Sequence, residues 1–268
     1  MSKTNKFNTE PYYIAYIDIL GYKEIVKRGD EHLAETIDLF LTEAEQIARD
    51  NQKVCGCITD INEEIFIKAF ADNIIICTKK YWDILFIMVG LLQYFMLKKG
   101  YYLRGALCHS NLYFGDKFIF GEGIILAHEI ESKIAKYPRI ILHSSYMKAV
   151  NDQKVVPFSL LASVAGMLPL YLNDFDGYMY VNYMYIAQFT QLTGYESSIE
   201  EMLMFHKEKI ERSIKDCEAQ CLQKDCMEKF LWCVQYHNRL CSEDGIPQCI
   251  IDIVNPDFRW LYNWHKDD

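Results

Sequence analysis

The sequence predicts an α+β fold: a mixed β-sheet with flanking helices, followed by a helical C-terminal region. Three observations predict it. Residues 12–19, Tyr-Tyr-Ile-Ala-Tyr-Ile-Asp-Ile, are β-rich and almost wholly apolar, the pattern of a central strand covered on both faces. Further β-rich runs come in pairs with helical periodicity between the pairs, so the order reads β-α-ββ-α-ββ-α-β. Beyond Asn151 the texture changes, and two long helical patterns dominate the rest of the chain.

Taken in order, Gly21 breaks the first strand. A helix follows over 31–50, with Leu33, Ile37, Phe40, Leu41 and Ile47 on one face. Residues 64–70 and 73–79 are strands, and Ala71-Asp72-Asn73 between them suits a tight hairpin. Residues 81–98 read as a helix stopped by Gly100. Residues 101–109 and 111–120 form a second strand pair. Gly121-Glu122-Gly123 opens a helix that ends before Pro138, and 139–142 is a strand. A hairpin over 170–183 turns at Asp174-Phe175-Asp176-Gly177, and helices cover 198–216 and 223–241. The boundary between a first domain at 1–190 and a helical extension at 191–268 is placed on this change of pattern.

The bulk numbers bound the class. A chain of 268 residues, 51% hydrophobic and 24% charged, builds one large domain or an ordinary domain with an appendage. A net charge of −9 disfavours a nucleic-acid backbone as partner. A small anionic ligand is still compatible, because a bound divalent cation reverses the local sign. Residues 1–10 contain no apolar h-region, and the apolar stretch 84–97 is interrupted and short of a membrane span. We therefore expect a cytoplasmic protein, not bound to membrane, whose ten cysteines are reduced.

Two carboxylates stand out. Asp18 is the penultimate residue of an otherwise apolar strand, where a charge is unfavourable unless paired, metal-bound or placed at the strand's exit to meet solvent or cap a helix. Asp72 lies between two apolar strands, where an ordinary turn also accounts for it. A hairpin beside a central strand brings two such groups to one sheet edge. There they repel unless a cation lies between them, and Mg²⁺ favours carboxylate oxygens together with substrate phosphates.

Four ordered blocks across residues 12–145 resemble the catalytic domain of class III nucleotidyl cyclases. They are Asp18-Ile19-Leu20-Gly21-Tyr22, then Lys68-Ala69-Phe70-Ala71-Asp72 with alanine for the family's glycine, then Arg104-Gly105-Ala106-Leu107-Cys108-His109, and Phe120-Gly121-Glu122 with Glu131-Ser132 at the far end of its helix. The resemblance implies a ferredoxin-like, palm-type sheet. It implies a metal-dependent enzyme that turns a nucleoside triphosphate into a 3′,5′-cyclic nucleotide and pyrophosphate, and a head-to-tail homodimer. Asp18, Asp72 and the carbonyl of Ile19 would hold Mg²⁺ or Mn²⁺. Gly21 and Tyr22 would contact the triphosphate, and Lys68 stands at a base-reading position. Phe118 and Glu122 complete the implied nucleotide-binding set.

The pattern also departs from purine cyclases. Ile125 and Glu129 occupy the places of an asparagine and an arginine that serve ribose and transition state, and Phe118 replaces an adenine-reading residue. A pyrimidine base is the expectation, in keeping with a similarity to stand-alone bacterial cyclases that include the pyrimidine cyclases of antiphage signalling. The transition-state cation must then be another group, with Arg104, Lys133, Lys136 and Arg139 as candidates. A catalytically degenerate nucleotide-binding module is the alternative. Cys55-Gly56-Cys57 lacks a second pair for zinc, and Cys217, Cys221, Cys226, Cys233 and Cys241 suit a helix interface. Trp232 and Tyr236 suit a helix core, and Trp260, Tyr262 and Trp264 a docking tail.

Overall fold

Strand β1 (Glu10–Ile19) is buried from Tyr12 to Ile19 because it has a hydrogen-bonded neighbour on each side and helices over each face. The computed structural model describes residues 8–42, 65–152, 170–190, 198–219 and 224–252. By contact the chain divides into two compact units, Met1–Ala187 and Gln188–Asp268.

In the first unit, β1 is followed by α1 (Tyr22–Lys27) and by a second helix, α2, over residues 32–42. Then come β2 (Ile65–Phe70), β3 (Asn73–Thr78), α3 (Trp82–Lys98), β4 (Leu103–Phe114), β5 (Ile119–Phe120), α4 (Glu122–Lys133), β6 (Ile140–Leu142), α5 (Ser144–Asp152), β7 (Tyr171–Asn173), β8 (Met179–Val181) and α6 (Tyr183–Thr190). The sheet order is β2-β3-β1-β4-β6-β8-β7, with β5 paired to β4. The first four strands are antiparallel neighbours in the order of a ferredoxin-like βαββαβ unit. The parallel pair β4–β6 makes the sheet mixed.

Alternation along β1 divides the core. Tyr12, Ile14 and Tyr16 pack with Ala127 and Ile130 of α4. Tyr13, on the other face, meets Tyr146 of α5 at a ring-centre distance of 5.6 Å, and the Tyr146 hydroxyl donates to the Trp82 carbonyl of α3 at 2.7 Å. Helix α3 is apolar nearly all round and correspondingly buried along most of its length.

The strand pair expected at 101–109 and 111–120 is instead one unbroken strand with a short return. β4 runs through the polar residues His109, Ser110 and Asn111 and stays in register with β1 as far as Leu112 opposite Glu10. The reversal falls later, where Gly115 N donates to Phe118 O at 3.1 Å. The polar residues are tolerated because His109 packs on Tyr13 at 4.6 Å and its amide donates to Ser145 Oγ at 3.0 Å. Asp174 and Asp176 turn the β7–β8 hairpin and pair with the wholly buried Arg139, whose Nη1 lies 3.0 Å from Asp176 Oδ1. Among the described residues, no helix is long and apolar enough to cross a membrane.

The second unit is built on α7 (Ile199–Ala219), α8 (Lys224–Glu243) and a 3₁₀ turn at Pro247–Cys249. Cys217, Met227 and Leu231 form a small apolar cluster, and Trp232 stacks on Tyr236 at 5.6 Å, both buried. The cysteine pair at 55 and 57 and the aromatic tail at 260–264 lie outside the described residues.

A buried histidine pair links α7 to α8. His237 Nε2 lies 2.8 Å from the Cys249 carbonyl, which only accepts, so this nitrogen carries the proton. Its Nδ1 then accepts from His206 Nδ1 at 3.1 Å, and both rings are neutral. Burial holds His237 down to about 4 and His206 well below its usual value. A base depressed in the folded state stabilises the fold above its unfolded value near 6.5, and that stability drains as pH falls toward 4. From pH 7 to pH 5 the unsubstituted chain should lose about 2 kcal/mol more than His237→Gln. Thermal unfolding of both proteins at the two pH values checks this, and equal losses would refute it.

Candidate functional site

The site begins with strand register. Asp18 stands opposite Asn73 of β3 on one side and opposite Arg104 of β4 on the other. Gly105 lets β4 approach this closely, since a Cβ there would meet the Tyr16 carbonyl oxygen at 2.2 Å. Asp18 is only 9% exposed, so its charge needs a partner. Arg104 supplies it, with Nε donating to Asp18 Oδ2 at 2.7 Å. The same guanidinium places Nη2 2.7 Å from Oε1 of the buried Glu131 on α4. That second contact has ion-pair distance but not hydrogen-bond alignment, so Glu131 Oε1 lacks an aligned donor.

Asp72 joins the same strand ends. Ile19 N donates to the Asp72 carbonyl at 2.9 Å, and Asn73 Nδ2 donates to Asp72 Oδ1 at 2.8 Å. Two groups register the charge gathered there. Burial, then Glu131, Asp18 and Asp72, push the Tyr16 hydroxyl up to about 12. Burial raises the Glu131 carboxyl, Arg104 opposes the rise, and Asp18 and Asp72 add to it. Three carboxyl groups thus stand near one guanidinium, so acid is in excess.

The remaining expected residues are distributed around this cluster. Ile19 is buried in β1, and Gly21 adopts φ +77° where the chain turns into α1. Tyr22 is half-buried and lines a cavity of about 340 Å³ with Val26, Leu33, Phe70 and Ala71. Lys68 is engaged by its own chain: it donates to the carbonyls of Gly115 and Asp116, the latter at 2.9 Å, and sits 4.9 Å from the Phe114 ring centre. Phe118 is 45% exposed beside Tyr113, and Glu122 is exposed in the first turn of α4. Ile125 is exposed on α4, and Glu129 is ion-paired with Lys133 at 2.8 Å.

Of the candidate cations, Arg104 alone contacts Asp18. Lys133 is taken up by Glu129 and Arg139 by the β7–β8 turn. Among the described residues, no three His, Cys, Asp or Glu side chains stand close enough together to hold a metal ion. Two carboxylates with further positions left to water and phosphate are what Mg²⁺ commonly takes.

Glu131 was not singled out as a site residue from the sequence. Its signal was helical spacing: Ala127, Ile130 and Glu131 fall on one face of α4, and a lone acid among buried positions calls for a cation nearby. The turn before Asp72 also has a feature the sequence hinted at. Ala71 adopts φ +54°, the left-handed region, at the position where the resembled family has glycine. Ala71→Gly should therefore raise stability by about 1 kcal/mol and the melting temperature by a few degrees. A neutral or lowered melting temperature would show that the turn is unstrained.

No protein-family model matches the sequence, and no curated protein matches it. Solved structures do. The catalytic core of a rhodopsin-guanylyl cyclase with converted specificity, in complex with ATPαS, is similar over 53% of this chain and 82% of that one, at 16% identity and a TM-score of 0.42. The adenylyl cyclase CyaB from P. aeruginosa is similar over 55% and 83%, at 16% identity and a TM-score of 0.38. A bacterial light-regulated adenylyl cyclase is similar over 69% and 98%, at 11% identity and a TM-score of 0.37. All three are adenylyl or guanylyl cyclases.

Proposed function

We propose that this chain is a divalent-metal-dependent nucleotidyl cyclase that forms a 3′,5′-cyclic nucleotide and pyrophosphate from a nucleoside triphosphate. One observation supports this above the others. The backbones of Asp18 and Asp72 lie at adjacent strand ends, tied by the bond from Ile19 N to the Asp72 carbonyl, where acids outnumber the one guanidinium. Such a cluster would repel a triphosphate unless a cation of matching charge were bound, and hard carboxylate oxygens suit Mg²⁺ or Mn²⁺.

In this reading Asp18, Asp72 and the Ile19 carbonyl hold the metal. A bound divalent ion supplies a more acidic ribose 3′-hydroxyl and offsets phosphate charge. The turn at Gly21 and Tyr22 lies beside the triphosphate. The 3′-hydroxyl oxygen would bond to the α-phosphorus and give its proton to water, as the bond from the α-phosphorus to the α,β-bridging oxygen breaks and pyrophosphate leaves. Arg104, which alone of the four candidates contacts Asp18, would meet charge developing on the phosphate.

The base is read from apolar contacts. Phe118 cannot hydrogen-bond an exocyclic amine, and a pyrimidine is the proposed base. Lys68 and Glu122 flank the same region in this proposal. The proposal includes a head-to-tail homodimer, in which metal-holding and base-contacting residues of one site come from different subunits. Exposed Phe118, Phe120 and Ile125 offer apolar surface for such an interface. The product would serve as a signal, in the antiphage setting of the pyrimidine cyclases that the sequence resembles.

A second reading has its own observation. Ile125 is 62% exposed and Glu129 is spent on Lys133, so neither can serve ribose or transition state as an amide and a guanidinium would. The chain would then bind a nucleotide and metal without turnover. Incubation with labelled ATP, GTP, CTP and UTP plus Mn²⁺, followed by product separation, decides between them. The proposed enzyme gives a cyclic pyrimidine nucleotide, and Asp18→Asn and Asp72→Asn each reduce the rate by at least about a hundredfold. Thermal stabilisation by a triphosphate with no product supports the binding module. Identical product profiles from wild type and both variants would overturn the catalytic reading.

A further inference from the structure

Arg104 is shared between two acids of different standing. Asp18 lies at the metal site proposed above, whereas Glu131 lies on α4 behind it. Resting on that reading of the metal site, we infer that Arg104 is a displaceable internal countercation. It neutralises Asp18 while no metal is bound, and a divalent ion drives it off Asp18 while Glu131 keeps it tethered. The released edge of the guanidinium then faces the phosphates that arrive with the metal.

Three features point this way. First, one guanidinium serves two buried carboxylates, through one aligned hydrogen bond to Asp18 and a contact to Glu131 that has not reached hydrogen-bond alignment. Rotation toward Glu131 gains there what it gives up at Asp18. Second, the Arg104 side chain is 26% exposed, against 12% for Asp18 and 6% for Glu131. The cation sits at the open side of the cluster, where it can move without repacking the core. Third, the charges balance. Were all three acids ionised, they would carry −2 with Arg104 in place, which a divalent ion offsets while Arg104 stays nearby and changes partner. Departure of Arg104 altogether would leave Glu131 buried without a counterion. Glu131 is on this account a positioning residue, acting through Arg104.

A rigid clamp makes different predictions. If Arg104 only fixes the Asp18 rotamer, metal binding leaves it in place and its removal weakens the site. Two measurements on the full chain separate these accounts. Mn²⁺ binding without nucleotide, followed by the electron paramagnetic resonance of free Mn²⁺, should be about fivefold tighter in Arg104→Gln than in wild type, one charge pair's worth. In wild type, Mg²⁺ should shift the Arg104 Nε–H resonance and speed its exchange with water. Asp18→Asn should already show the released resonance and not respond to Mg²⁺. Should Arg104→Gln not fold, the resonance in the unsubstituted chain decides. Mn²⁺ binding with an unmoved Nε–H, or equal or weaker binding by folded Arg104→Gln, overturns the displaceable countercation and leaves the metal site standing. No binding of Mn²⁺ by wild type, with or without a triphosphate, overturns the metal site and this inference together.

Discussion

The register of β1 between β3 and β4 is the constraint on which the rest depends. Asp18 is set against Asn73 on one side and Arg104 on the other, so one strand end gathers a carboxylate, a hairpin turn and a guanidinium. A slip of one residue would turn Asp18 to the opposite face, away from α4 and Glu131, and put Ile17 in its place. The register is held by burial: Ile14, Ala15 and Ile17 are wholly enclosed, and Gly105 leaves no side chain between the two backbones. An acid in such a place is tolerated because a cation was built in with it.

That arrangement explains why the site is electrostatically incomplete. Tyr16, His128 and Glu131 share the face on which Asp18 lies, and the Tyr16 ring meets His128 edge-on at 5.9 Å. Low polarity around Asp18 and Glu131 strengthens the interaction of each with Arg104. Arg104 answers one carboxylate, and in the proposed function a divalent cation would answer the excess that remains. Structure and chemistry therefore meet at one point: the same burial that fixes the strand makes the unbalanced charge consequential.

Much of this was legible in the residues. An uninterrupted apolar run at 12–19 can only be a strand with neighbours on both sides and cover on both faces, and the paired β-rich runs around Asp72 are β2 and β3. Other features depend on tertiary context. The polar stretch His109-Ser110-Asn111 reads as a turn, yet β4 continues through it because Tyr13 and Ser145 give those residues partners. Lys68 reads as a ligand-binding group, yet the carbonyls of the β4–β5 turn, 47 residues away, already occupy it. Glu131 reads as part of the Glu131-Ser132 block and as an acid on an apolar helix face, with no role attached. Its partner is 27 positions distant by number and adjacent only once α4 packs on β4. Local pattern reveals elements, whereas charge pairing between elements needs the packed fold.

The most direct measurement is a crystal of the protein grown or soaked with Mn²⁺ and a non-hydrolysable triphosphate, with anomalous scattering used to locate the metal. The account predicts a peak within bonding distance, about 2.0–2.3 Å, of carboxylate oxygens from both Asp18 and Asp72. A peak bound to neither aspartate, or a triphosphate seated away from the end of β1, would contradict it.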